Sequence, residues 1–255
     1  MNLPYFDLTG KIAVVSGGAT GLGYGMSEAL AEAGATVVIC SRRLEVCEQS
    51  AKELIDKTGG NVIPLRCDVT SKPEIDALVK QVTDDFKGID ILVNCAGVGG
   101  AEKPIVEMSE EDWDSTMNIN LKGVYTFSQA VVPGMIARGK GGRIINVSSI
   151  ASLRAMRYMS GYCTSKAALT HLTKVMAMEW IKHNILVNAL LPGYFETPLN
   201  THFFASKAGQ RLIASLPMKR LAQLNEIKGI TVLLASEASS FVTGSALVID
   251  GGHTA

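Results

Sequence analysis

Ile12-Ala13-Val14-Val15-Ser16-Gly17-Gly18-Ala19-Thr20-Gly21-Leu22-Gly23 is the stretch whose reading decides the fold. Its first five residues are apolar and mostly β-branched, which predicts a strand over 12–16. The glycines then supply a tight turn into a helical pattern over 23–34. A strand that runs straight into a glycine turn and a helix is the opening half of a βαβ unit.

Working outward, the same alternation recurs to the end of the chain. Strands are expected over 36–40, 62–66, 89–94, 143–148, 185–190 and 246–249. Helical patterns are expected over 44–57, from about 72, from about 109 and over 161–183. Alternating strands and helices mean a parallel sheet. Runs such as IAVVS, TVVIC and DILVN are apolar throughout rather than alternating, as strands are when helices cover both faces. The expected fold is therefore α/β, a single doubly wound domain over 1–255. Such a sheet binds its ligand at the carboxyl ends of its strands.

Composition agrees. The 255 residues are 47% hydrophobic and 19% charged, which suits one large core and excludes a disordered chain. Lys plus Arg and Asp plus Glu both number 24, so no charge excess steers the protein to nucleic acid or to a membrane surface. The five cysteines are odd in number and contain no CxxC, against a disulfide framework or a zinc site and for a reduced, cytoplasmic protein. The stretch over 1–10 lacks the apolar core of a signal peptide, and no apolar run would span a bilayer.

Two further features carry chemistry. Gly17, Gly21 and Gly23 let the backbone approach a pyrophosphate, and the helix that follows turns its free N–H groups toward it. The spacing is GxxxGxG, not GxGxxG, and taken alone it also describes an ordinary strand-ending loop. After the second strand, an enzyme that uses NAD places a carboxylate for the ribose hydroxyls. Here stand Ser41, Arg42 and Arg43, suited instead to a 2′-phosphate. Tyr162 and Lys166, four apart on a helix, share a face. An ammonium about 4 Å from a phenol favours the phenolate by roughly 4 kcal/mol, less the cost of burying it. The expectation is a lowered Tyr162 pKa.

In their order along the chain these features resemble the short-chain dehydrogenase/reductase family, in its compact single-domain, Rossmann-type branch. The likeness covers nearly the whole sequence. The glycine turn with Thr20 and Leu22 is similar to TGxxxGxG, with Ser16 for the usual Thr. Asp68 and Val69 stand where the family has its adenine-contacting acid. Asn94-Cys95-Ala96-Gly97 is similar to NNAG, with Cys95 replacing Asn. Pro192, Gly193 and Thr197 are similar to the segment that clasps the nicotinamide carboxamide. Asn120, Ser149, Tyr162 and Lys166 complete a catalytic tetrad. The resemblance implies NADP(H) as cofactor and hydride transfer between it and a small ketone or secondary alcohol. Ser149 polarises the substrate oxygen, Tyr162 is the general acid or base, Lys166 tunes Tyr162 and binds ribose, and Asn120 holds a water. No metal is implied.

Local strings, FDLTGK, SRRLE and PGYFETPLN, resemble gluconate 5-dehydrogenases, which implies a keto-sugar acid. A 3-oxoacyl thioester reductase and a nucleotide-sensing regulator on the same fold remain open. A lid is expected over about 193–217, where His202, Lys207, Arg211 and Lys219 are candidate anion contacts. His171, His253, Cys163 and the methionines read as packing or interface residues. The resemblance also implies a homotetramer, paired through helices over 115–137 and 162–183.

Overall fold

The computed structural model describes residues 3–197 and 200–255. Seven parallel strands form one sheet: β1 (Ile12–Ser16), β2 (Thr36–Ser41), β3 (Val62–Arg66), β4 (Ile91–Asn94), β5 (Gly142–Val147), β6 (Ile185–Pro192) and β7 (Ala246–Ile249). Their spatial order is β3-β2-β1-β4-β5-β6-β7. The chain runs outward from β1 to β3, then returns to lay β4 on the other side of β1. The strand order reverses between β1 and β4, and a cleft opens there at the carboxyl ends.

Register shows why the strands are apolar throughout. Val38, Val14, Leu92, Ile144 and Val187 pair in one row across five strands. All five belong to the core on one face, with Ile75, Leu78, Phe127, Val131 and Met176. Those residues come from α3 (Lys72–Phe86), α5 (Gly123–Arg138) and α6 (Ser160–Trp180). The neighbouring residues Val15, Ile39, Val93 and Ile145 point the other way. They pack with Met26, Leu30, Leu54 and Leu234 from α1 (Gly21–Glu32), α2 (Leu44–Thr58) and α9 (Lys228–Ala235), and with Ile227 just before α9. With both faces covered, neither alternate set of side chains meets water.

Three of the departures from expectation bear on the site or have a visible cause. α1 starts two residues early, inside the glycine turn. The helix expected to run unbroken over 115–137 is divided: α4 (Glu110–Met117) passes through a π-helical turn, Asn118–Lys122, into α5. β4 is shorter than 89–94 because Asp90 is committed to its neighbours, its carboxylate accepting from the Ile12 amide and from Arg138. Beyond β6 the chain forms α7 (Thr201–Ala205) and α8 (Lys207–Ser215), packed on a small cluster of their own, Phe204, Leu216 and Leu221. Pro198 and Leu199, inside the expected lid, lie outside the described residues. Among the described residues no helix is long and apolar enough to cross a membrane, and all five cysteines are free.

Candidate active site

The glycine turn is built to bring two backbones together. Gly17 has φ +68°, and a Cβ there would stand 2.9 Å from the Ala96 backbone; at Gly23 a Cβ would stand 2.1 Å from the Gly17 carbonyl. Ser16 ties the turn to the end of β4: its Oγ accepts from the Cys95 and Ala96 amides and donates to the Val93 carbonyl. Thr20, the residue before α1, makes no side-chain cap, which leaves the first amides of that helix without a side-chain partner. Leu22 packs against the core beneath, and the Thr197 side chain lies 3.6 Å from where a Gly21 Cβ would be, so the lid approaches the turn from across the cleft.

A hollow of about 140 Å³ continues from the turn. Gly17, Ser41, Arg42, Arg43, Asp68, Val69, Ala96 and Gly97, all expected from the sequence, line it together with Val98 and Ile119, which were not. Arg42 and Arg43 are exposed and form no ion pair among the described residues. The Ser41 hydroxyl accepts from the Arg43 amide and lies 3.1 Å from Cys47 Sγ, so it shapes this loop. Burial pulls the Asp68 carboxyl upward, but two hydrogen bonds from Thr70, with Arg42 and Arg66 nearby, outweigh it and hold Asp68 below the usual range. A larger hollow, about 610 Å³, lies elsewhere between Phe6, Glu32 and Lys228, and holds none of the expected site residues.

Asn94 sits apart from this wall. It is 2% exposed, and its Nδ2 donates to Asn146 Oδ1 at 2.9 Å and Ser128 Oγ at 3.2 Å. Asn146 in turn donates to Thr173. The expected cofactor contact is thus a buried bridge between β4, β5, α5 and α6. Isolated polar residues in apolar segments were its only signal. Pro192 ends β6, and Gly193 follows where a Cβ would come within 2.7 Å of Asp250 Cβ.

The four tetrad positions meet at the ends of β4 and β5. Ser148 and Ser149 divide their work. The Ser148 hydroxyl donates to the Lys166 carbonyl and bonds Thr170, fastening α6 to the strand end. Ser149 opens a 3-10 turn over Ile150–Ser152, accepts from the Ala151 amide and turns its hydroxyl to the Tyr162 phenol. Lys166 is 5% exposed and donates from Nζ to the Val147 carbonyl at 2.8 Å. Burial lowers its pKa to about 8, with the Cys95 thiol pulling weakly upward. Its Nζ stands 5.8 Å from the Tyr162 ring centre.

This geometry corrects one expectation. Burial pushes Tyr162 above the usual phenol value, and the Ser149 hydrogen bond opposes it without prevailing. Lys166, turned to Val147, does not bring the phenol down as the helix spacing suggested. Asn120 also differs in its contacts. In the π-turn its Oδ1 accepts from the Val98 amide, and its Nδ2 donates to the Val98 carbonyl and to Ser165. Its side chain therefore pins the Val98 loop. Asn120 Oδ1 and Lys166 Nζ lie 3.2 and 3.5 Å from where a Gly97 Cβ would be, so glycine keeps that point open between them.

A family profile described as enoyl-(acyl carrier protein) reductase matches residues 17–254. The chain belongs to the short-chain dehydrogenase/reductase family. Among its relatives in this family, an NAD-dependent glycerol dehydrogenase of Listeria innocua is 39% identical, covering 98% of this chain and 96% of that one. A 2-dehydro-3-deoxy-D-gluconate 5-dehydrogenase of Escherichia coli is 38% identical over the full length of both. The crystal structure of a gluconate 5-dehydrogenase from Burkholderia cenocepacia, in complex with NADP and tartrate, superposes with a TM-score of 0.92 at 37% identity, covering 98% of this chain and 97% of that one. This short-chain dehydrogenase/reductase is an oxidoreductase acting on alcohols and ketones.

The residues present fit a nicotinamide dinucleotide. Gly17 and Gly23 leave no room for side chains beside the turn, and the hollow beyond it ends at two unpaired guanidinium groups.

Proposed function

We propose that the protein interconverts a ketone and a secondary alcohol on a polyhydroxylated substrate, a keto-sugar acid being the favoured class, and that it uses NADP(H). The observation that carries the cofactor assignment is the pair Arg42 and Arg43. They lie in the wall of the hollow at the end of β2, where a carboxylate would be needed for NAD. The Burkholderia enzyme with bound NADP supports this reading. The Escherichia coli relative supports the substrate class.

Gly17, Thr20, Gly21, Leu22 and Gly23 would hold the pyrophosphate, Ser41, Arg42 and Arg43 the 2′-phosphate, Asp68 and Val69 the adenine, and Ala96 and Gly97 the floor, which the buried Asn94 braces from behind. Pro192, Gly193 and Thr197 would hold the nicotinamide end. When bound, the cofactor supplies or accepts the hydride. Ser149 donates to the substrate oxygen as charge develops. Tyr162 donates its proton to that oxygen in reduction and accepts it in oxidation. Burial keeps Tyr162 a phenol at neutral pH, the form that reduction needs. Oxidation therefore gains with rising pH, and reduction falls once the phenol ionises. Lys166 binds the ribose, and Asn120 orders the loop above it. The segment over 193–217 acts as the substrate lid.

Arg42→Ala tests the cofactor assignment. It should lower kcat/KM for NADPH roughly ten- to a hundred-fold, the worth of one charge-assisted hydrogen bond, and change NADH little. Equal kcat/KM for the two cofactors in the parent enzyme would overturn it. We also propose a homotetramer. Tyr125 on α5, Val175 and Met178 on α6, and Ile181 just beyond it are exposed apolar residues on the elements expected to pair. A monomer mass by light scattering at micromolar concentration would refute it.

A further inference from the structure

We propose that Arg154 is the substrate-carboxylate anchor of this enzyme, held in place by His253, which follows β7, and by Tyr194, and that it selects keto-acids over neutral ketoses. The proposal rests on the carbonyl-reductase reading above and adds to it the residue that recognises the acid.

The topology brings three strand ends to one place. Arg154 follows β5, two residues beyond the turn that Ser149 opens, and its amide donates to the Ile150 carbonyl at 3.1 Å. Tyr194 follows β6 and His253 follows β7. Arg154 Nη1 lies 2.8 Å from His253 Nε2. A guanidinium has only donors, so in this contact Nε2 is the acceptor. The His253 ring packs edge-on against Tyr194, centres 5.6 Å apart, and Tyr194 packs on Phe204 of the lid. The tail that carries His253 is itself braced, because the Asp250 carboxylate accepts from the Gly252 and Thr254 amides and the Thr254 hydroxyl. Tyr194 bears on the charge of the Tyr162 phenol, and Arg154 bears on that of Tyr194. By the strand order, the Arg154–His253–Tyr194 group lies toward the β5–β7 end of the carboxyl edge that carries Ser149 and Tyr162, with Arg42 and Arg43 toward the β2 end.

Charge pairing narrows the choice of anchor. Of the nine arginines in the sequence, Arg66, Arg138, Arg143 and Arg220 are paired with Glu74, Asp90, Glu237 and Glu226. Arg154, itself exposed, has no carboxylate within ion-pair distance among the described residues, and it differs from the other unpaired arginines in being oriented by the His253 ring, which adds no negative charge. A planar fork with its remaining donors free matches a carboxylate two-pronged. The lid cations expected from the sequence are less suited. For His202, Lys207, Arg211 and Lys219, exposed like Arg154, no side-chain hydrogen bond or ion pair provides orientation among the described residues.

The test compares 5-keto-D-gluconate with the neutral ketose D-fructose, using NADPH and the parent, Arg154→Gln, Arg154→Lys and Arg157→Gln enzymes. The parent should favour the keto-acid. Arg154→Gln should lower the ratio of the two kcat/KM values roughly ten- to a hundred-fold, through KM, and Arg154→Lys should restore part of it. Arg157→Gln, an exposed cation three residues away, should leave the ratio within about threefold. Tartrate binding to the NADPH complex, measured by calorimetry, should weaken in Arg154→Gln in parallel. A parent active on both substrates, whose ratio and tartrate affinity survive Arg154→Gln, overturns the anchor alone. A parent that reduces neither substrate, nor any other ketone, overturns the carbonyl-reductase reading and the anchor with it.

Discussion

The glycine turn and the lid are both loops at the carboxyl edge of one sheet, and they are held by opposite means. The turn has almost no freedom. Its glycines touch backbone on two sides, Ser16 bonds it to the next strand, and it roots in the larger core through Ala19 and Leu22. The lid helices, from Thr201 to Ser215, pack on a small cluster of three buried residues, Phe204, Leu216 and Leu221, and neither main core includes them. The cofactor end is thus preorganised and invariant in shape, whereas the substrate end is stabilised locally. The difference teaches where specificity can vary at low cost: in the lid and tail, which few buried contacts constrain.

The largest effect should come from separating chemistry from cofactor binding. Tyr162→Phe removes the transferable proton and keeps the ring. It should lower kcat by about a hundred- to ten-thousand-fold and leave the NADPH Kd within about threefold. Retention of a tenth of parent activity would limit the role of Tyr162 to about 1.4 kcal/mol and end the tetrad reading. Next comes the rigidity of the turn. Gly23→Ala places a Cβ 2.1 Å from the Gly17 carbonyl, so the backbone must shift. It should cost about 3 kcal/mol or more and abolish NADPH binding. Gly229→Ala, where a Cβ meets nothing within 4 Å on the exposed side of α9, should instead be neutral or gain up to about 1 kcal/mol. Equal effects of the two would mean the turn is not close-packed.

Lys166 gives a smaller effect with a pH signature. Its pKa is about 8 against an ordinary 10.5, so between those values the unfolded chain holds a proton that the folded chain lacks, and stability rises with pH. Below pH 8 the folded protein carries the buried charge at a cost of roughly 3 kcal/mol at most. Lys166→Met removes that cost and also the hydrogen bond to Val147, worth about 1 kcal/mol. The variant should be inactive yet melt above the parent at pH 7, and the gap should close toward pH 10.5. A gap independent of pH would show that Lys166 is buried without strain on its charge.

These contrasts also explain what the sequence makes legible. β1, β3 and β7 fall on the expected residues, because apolar runs bounded by glycine, proline or charge have only one way to lie in a covered sheet. The positions of Asn120, Ser149, Tyr162 and Lys166 are legible because the backbone elements that carry them, one strand end, one helical turn and one long helix, are fixed by those same runs. Side-chain partners are not. Spacing four apart places Tyr162 and Lys166 on one face, but it does not say that Lys166 reaches Val147 instead. The Asn94–Asn146 bridge, the Asn120–Val98 pair and the Arg154–His253 contact join residues 52, 22 and 99 apart in sequence. Only the strand order brings them together, and nothing in their local sequence marks them as partners.

The smallest global effect tests the lid half of the comparison. Phe204 is 6% exposed and packs on Tyr194 and Phe203. Truncating a buried Phe ordinarily costs about 3–5 kcal/mol. Here the loss is capped by the stability of the segment that holds it, because once α7 and α8 have opened nothing further can be lost from them. Phe204→Ala should therefore lower the global unfolding free energy by only about 1 kcal/mol. Amide exchange over 201–216 should become fast while α1 and β1 keep their protection. The ketone KM should rise, since Tyr194 loses its support, with NADPH Kd unchanged. If exchange in α1 accelerates in step with α7, lid and turn unfold as one unit. The contrast between a rigid cofactor end and a locally held substrate end would then be wrong.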